Sequence, residues 1–108
     1  MRKAKVYRNN VFVGLLTEED SGSFVFKYSD SWLLDKDSPS VSLTLPKRSE
    51  EYRLEYLFPF FFNMLSEGAN KTLQCTRLKI DPNDNFGLLL ATAQYDTLGA
   101  ITIKPDKE

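Results

Sequence analysis

Three groups of carboxylates stand close together in the sequence: Glu18-Glu19-Asp20, Glu50-Glu51, and Asp81 with Asp84. Paired carboxylates can move a proton at a substrate or hold a magnesium ion. Here the first two groups fall in turn or linking segments and the third suits helix capping, so all three read as structural. The one thiol, Cys75, falls in the middle of a helical segment with no cationic neighbour placed beside it. A thiol needs such a neighbour to ionise and react, so Cys75 reads as a packed, inert cysteine. Histidine is absent from the 108 residues. That removes the commonest general base, the usual activator of a Ser or Cys nucleophile and the commonest metal ligand. One cysteine without histidine makes no zinc set, and the five glycines are scattered singly rather than gathered in a phosphate loop. The expectation is a protein with no catalytic, cofactor or metal site, which works by binding.

The elements that must position a binding surface can be read from periodicity. Lys3 to Tyr7 alternates as a strand, Asn9-Asn10 tolerates the positive φ of a tight hairpin, and Val11 to Leu16 returns, with Gly14 as a bulge or point of close contact. Ser21-Gly22 is a second turn, and Ser23 to Tyr28 is a third strand with Phe24, Phe26 and Tyr28 on one face. This makes a three-stranded antiparallel meander. Asp30 caps a short helical turn bearing Trp32, which is either a satellite core residue or a partner contact. Val41 to Leu45 alternates as a fourth strand, and Pro46 to Glu51 is an exposed link.

The second half reads as helical. Leu54, Leu57, Phe58, Phe61, Phe62 and Leu65 recur at the spacing of one helix face, although Pro59 moves the start of regular helix toward Phe58. Tyr56, Phe60 and Met64 form a second apolar stripe, which is covered either by the rest of the domain or by a partner. Gly68 ends this helix, Asn70 caps another to about Lys79, and Asp81-Pro82 opens a third to about Gln94 with Phe86, Leu89, Leu90 and Ala93 inward. Gly99 to Ile103 is a last strand, followed by a polar tail. The fold class is α+β: one domain over 1–108, with a small antiparallel sheet or barrel and three or so helices in the second half.

Composition narrows the partners. Lys plus Arg is 14 and Asp plus Glu is 15, a net charge of −1, so the basic excess usual for a protein that binds nucleic acid alone is missing. Arg2, Lys3, Lys5 and Arg8 read as a solvated face. No signal peptide or membrane-length apolar run is visible, and a single cysteine allows no internal disulfide. These features point to the cytoplasm.

Certain ordered segments carry a resemblance. The opening hairpin, Leu57-Phe58-Pro59-Phe60-Phe61 followed by Leu65-Ser66-Glu67-Gly68, and Asp84-x-Phe86-x-Leu88-Leu89 before Asp96-x-x-Gly99-Ala100 resemble the N-terminal subdomain of HipA-type toxin kinases over about residues 3 to 105. In that family the subdomain precedes the kinase core, and this sequence stops where the core would begin. A free-standing copy resembles HipS, the small component of split HipBST toxin–antitoxin systems. The resemblance implies an antitoxin that binds and neutralises a HipT-like Ser/Thr kinase. It also implies a ternary complex with a HipB-like helix-turn-helix protein, which would bring DNA in only indirectly, and no membrane. The alternative is an adaptor that assembles the complex without inhibiting. The contact is expected near Phe60, Met64, Ser66, Glu67, Gly68 and Ala69. Relatives often carry Trp at the position of Ala69 and Gly-Gly where this chain has Gln94-Tyr95.

Overall fold

The computed structural model describes residues 1–65, 68–92 and 101–106, with residues 68–70 described by their backbone alone. Among the described residues, five antiparallel strands form one open sheet: β1 (Arg2–Arg8), β2 (Val11–Glu18), β3 (Phe24–Tyr28), β4 (Tyr52–Leu54) and β5 (Ile101–Pro105), in the order β4-β3-β2-β1-β5. The sheet does not close, so the barrel half of the expectation gives way to a sheet with two edges. The described residues also form four helices: α1 (Asp30–Leu34), α2 (Pro59–Phe62), α3 (Gly68–Leu78) and α4 (Asn85–Thr92).

The meander forms as its turn residues dictate. Asn9 and Asn10 take φ of 50° and 67°, the left-handed conformation that asparagine tolerates better than most residues. The register slips by one residue just after Val6, so Val13 is the extra residue of a bulge beside Gly14. Gly14 is also a point of close approach. A Cβ there would lie 2.5 Å from the Lys27 carbonyl oxygen and 3.1 Å from the Phe26 ring. The close-contact half of the expectation for this glycine therefore holds, whereas the bulge falls on Val13 beside it.

The sheet buries one face. Ala4, Val6, Leu16, Phe26, Tyr28, Ile101 and Ile103 pack with Phe61, Phe86 and Leu89 in one core. Phe26 sits edge-on to Tyr28 at 5.0 Å, with Phe61 at 5.7 Å. Trp32 joins this core, and its indole N–H donates to the Pro39 carbonyl at 2.9 Å. The cap of α1 is Ser29 rather than Asp30: its hydroxyl accepts the Trp32 N–H at 3.2 Å.

Several boundaries differ from the sequence reading. Val41 to Leu45 is not a strand but a turn with a single bridge between Ser42 and Leu45. Its alternation is broken because Leu43 is 97 % exposed while Val41 and Leu45 are buried. The Tyr28 hydroxyl replaces a strand partner by accepting the Val41 N–H at 2.9 Å and donating to the Leu45 carbonyl. The fourth strand is instead Tyr52–Leu54, paired to β3. Gly68 opens α3 rather than ending the aromatic helix, and Asn70 lies inside α3. That helix closes with Lys79 at φ 58° and the Ile80 N–H on the Cys75 carbonyl at 2.9 Å, a Schellman arrangement. The cap of α4 is Asp84 rather than Asp81, its carboxylate accepting the Gly87 N–H at 3.0 Å. Phe86 and Leu89 are buried as expected, and Leu88 with them. The expected inward positions beyond Thr92, and the start of the last strand at Gly99, lie outside the described residues. Lys104 and Pro105 belong to β5 rather than to a polar tail.

Candidate interaction surface

The aromatic segment follows directly from edge strand β4. Pro59 cannot continue an interior hydrogen-bond ladder but suits the first helical position, so α2 begins there with Phe58 extended at ψ 134° as its cap. The Phe61 and Phe62 N–H groups both donate to the Phe58 carbonyl at 2.9 Å. The helix has only four residues and passes into tighter turns, with the Met64 N–H on the Phe61 carbonyl at 3.1 Å and the Leu65 N–H on the Phe62 carbonyl at 3.0 Å. A continuous helical wheel from Leu54 therefore does not apply.

The consequences are specific. Leu57, Phe58, Phe61 and Leu65 are buried, as the first stripe required, but Phe62 from that stripe is 41 % exposed. Phe60 and Met64 are partly buried against the core, with Phe60 edge-on to Phe61 at 5.2 Å. Tyr56 is 61 % exposed. The apolar surface is thus a ridge of Tyr56, Pro59 and Phe62 with a shallow groove on either side. One groove, of about 300 Å³, is lined by Tyr56, Leu57, Pro59, Phe62, Asn63 and Asn85. The other, of about 250 Å³, runs between the ridge and Leu45, Leu54 and Tyr52. At its lip the Arg48 guanidinium lies 3.7 Å from the centre of the Tyr52 ring. The sequence spacing sets Tyr56 on the second stripe, outside the expected contact, and turns Phe62 inward, whereas both rings are exposed. The signal that would have found both is Pro59, which resets the helical phase.

Of the other expected contact residues, Gly68 and Ala69 begin α3, close in sequence to this ridge. Ser66 and Glu67 lie outside the described residues.

Most of these carboxylates hold the fold. Arg2 donates to both oxygens of Asp84, at 3.0 and 2.7 Å, and through Nε to Glu18 at 2.8 Å. The Arg2 hydrogen bond, with the Gly87 N–H, holds the Asp84 carboxyl below its ordinary range against a smaller opposing effect of burial. The Arg2 guanidinium also lies 5.2 Å from the Phe86 ring centre. One arginine therefore joins β1 and β2 to the first turn of α4. Glu19 and Glu51 pair with Arg53, and Asp81 accepts the Asn83 N–H at 2.9 Å in the turn before α4. Cys75 is buried in the core. Among the described residues no cluster of His, Cys, Asp and Glu could hold a metal ion, and no helix is long and apolar enough to cross a membrane.

Known proteins resemble this arrangement. The family model described as the HipA N-terminal domain matches residues 4–104. The solved N-terminal domain of HipA toxin superposes with a TM-score of 0.75 at 27 % identity, covering 100 % of this chain and 95 % of that one. A protein of Haemophilus influenzae is 32 % identical over 108 residues, which are 96 % of its length. Y4mE of Sinorhizobium fredii, which carries a kinase name, is 30 % identical over 108 residues, and there the match spans only 26 % of the relative. A second kinase-named protein of that organism, Y4dM, is 28 % identical over 102 residues and 24 % of its length. The chain thus spans about a quarter of the kinase-named relatives and nearly the whole of the Haemophilus one.

Proposed function

The chain belongs to the HipA N-terminal domain family, and from that premise we propose that it is a binding module that docks on a HipT-like Ser/Thr kinase and neutralises it. The observation that supports this reading best is the contrast among its relatives. The same domain is about a quarter of two kinase-named proteins and nearly all of a third. A domain that accompanies a kinase in one chain and occurs almost alone in another suits a partner that associates without a covalent link.

Docking would use the ridge of Tyr56, Pro59 and Phe62, with Phe60, Met64 and the Ser66-Glu67-Gly68-Ala69 segment around it. Aromatic side chains standing in shallow grooves are the residue type that dominates interface energetics. A standard interface covers about 800 Å² on each partner, and a ridge of this kind would be its centre. The action is steric: the module occupies or distorts the approach to the kinase's nucleotide or substrate site. It requires no reactive group of its own.

A second reading is favoured by one residue. Ala69 stands where relatives often have Trp, and alanine supplies little contact area for plugging a site. The module would then be an adaptor that joins the kinase to a HipB-like DNA-binding protein without inhibiting it. Co-expression with the kinase separates the two. An antitoxin restores growth and lowers kinase activity, whereas an adaptor co-purifies with a fully active kinase. A chain that neither restores growth nor co-purifies contradicts both.

A further inference from the structure

The net charge of −1 conceals a strongly segregated surface. The face of the sheet turned away from the helices carries, at alternate positions, Lys3, Lys5 and Tyr7 on β1, Leu15 and Thr17 on β2, Val25 and Lys27 on β3, Arg53 on β4, and Thr102 and Lys104 on β5. Five of these positions are cationic and none is a carboxylate, in a chain that has 15 acids. Among the described residues, acids meet these cations at the strand ends: Asp106, 3.7 Å from Lys5, and Glu19 and Glu51 on Arg53.

Three of the lysines share one cross-strand row. Lys27 stands opposite Leu15, Leu15 opposite Lys5, and Lys5 opposite Lys104. At the usual strand separation the row extends about 14 Å. Like charges directly opposite each other destabilise a strand pair, so Lys5 beside Lys104 works against folding. Lys104 is held over the Tyr7 ring at 5.4 Å, and Tyr7 in turn meets Phe12 edge-on at 6.0 Å. Lys27 is exposed.

We infer that the lysine row of this outer sheet face is a second docking surface, distinct from the aromatic ridge whose groove Arg53 lines, and that its occupant is the phosphate backbone of duplex nucleic acid. The complementarity is of charge and of form: a straight row of flexible ammonium groups matches a regular line of phosphates, which lysine meets as a point charge. Between the lysine rows the face offers little apolar surface to a lipid, since Val25 is buried and Leu15 half-buried; its exposed aromatic ring, Phe12 opposite Tyr7, stands apart at the hairpin end. The contact reads no sequence, because it reaches phosphates and not base edges. It is weak for the isolated chain, whose remaining surface is acidic.

The test is fluorescence anisotropy of a labelled mixed-sequence 24-base-pair DNA duplex titrated with the intact chain between 50 and 200 mM salt. Three phosphate contacts predict a log–log salt slope of about −2.7, a loss of about 40-fold in affinity over that range. Lys27→Glu and Lys104→Glu should each lower the slope by about 1. Lys36→Glu, an equal charge change in the exposed loop after α1, should leave it unchanged. Lys104→Glu sets opposite charges across from Lys5, so a loss of binding there cannot be ascribed to a weakened sheet; the melting temperature confirms this. Absence of a salt-dependent shift at 50 mM overturns the inference. So does equal loss in Lys36→Glu, or preferential binding to polyglutamate or to phosphatidylserine vesicles over DNA.

Discussion

Replacing Asp84 with alanine removes two supports at once, and the structure allows their sizes to be stated separately. As the cap of α4, its carboxylate accepts the Gly87 N–H; losing a cap of this type costs about 1 kcal/mol. As the partner of Arg2 it makes a two-point ion pair with side chains 40 % and 33 % exposed. Solvent screening limits such a pair to about 0.5–1 kcal/mol, and Arg2 retains Glu18. The expected loss is therefore about 1.5–2 kcal/mol, or roughly 10 °C in melting temperature for a domain of this size. Asp84→Asn keeps a competent cap and loses only the charge, so it should cost no more than half as much. The pH dependence has a definite sign. Arg2 holds the folded-state carboxyl below its ordinary range. Its stabilisation is therefore complete above the unfolded-state value of about 3.9 and is lost as the pH falls through the lower folded-state value. The gap between wild type and Asp84→Ala should narrow in acid accordingly. Urea unfolding followed by tryptophan fluorescence at pH 7 and pH 3 measures all of this, because Trp32 is buried in the core. A loss below about 0.5 kcal/mol at pH 7, or equal losses for Ala and Asn, would show that Asp84 does not support α4 through both cap and charge.

Two further substitutions probe the sheet and the loop beside it. Gly14→Ala drives a methyl group against the Lys27 carbonyl, so β2 and β3 must part; overpacking of this kind costs about 1–3 kcal/mol, and a change within 0.3 kcal/mol in denaturant melts would show that the contact relaxes freely. Tyr28→Phe keeps the ring and strips both hydrogen bonds to the 41–45 turn. Leaving two backbone groups unpaired costs about 1–3 kcal/mol, and hydrogen exchange should show the Val41 amide losing protection before the amides of β1 and β2 do.

The legible parts of this fold are those whose physics is local. Asn9-Asn10, Gly14 and the alternation of Phe24, Phe26 and Tyr28 specify the meander within a few residues of themselves. The aromatic segment misleads because its spacing fits one long helix while Pro59 allows only a short one to begin there. The spacing of Leu54 and Leu57 then has no helical meaning, and the exposure of Tyr56 and Phe62 follows from the reset. Val41 to Leu45 fails as a strand for a nonlocal reason: a tyrosine hydroxyl 13 residues away takes the place of a strand partner. The pair formed by Arg2 and Asp84 joins residues 82 apart, a distance over which spacing carries no information. The basic face of the sheet escapes a charge count because segregation, unlike net charge, depends on which strands become neighbours.

If the exposed aromatic ridge carries binding to a kinase, isothermal titration of a HipT-like kinase from the same genome with the wild-type chain, Tyr56→Ala and Phe62→Ala will show it. Each ring is already exposed, so the free variants should melt within about 0.5 kcal/mol of wild type. Loss of an interface anchor costs about 2 kcal/mol or more, so each variant should bind at least about tenfold more weakly. A wild-type chain that gives no binding heat and no co-elution at micromolar concentration, or variants that bind as tightly as wild type, would contradict the account.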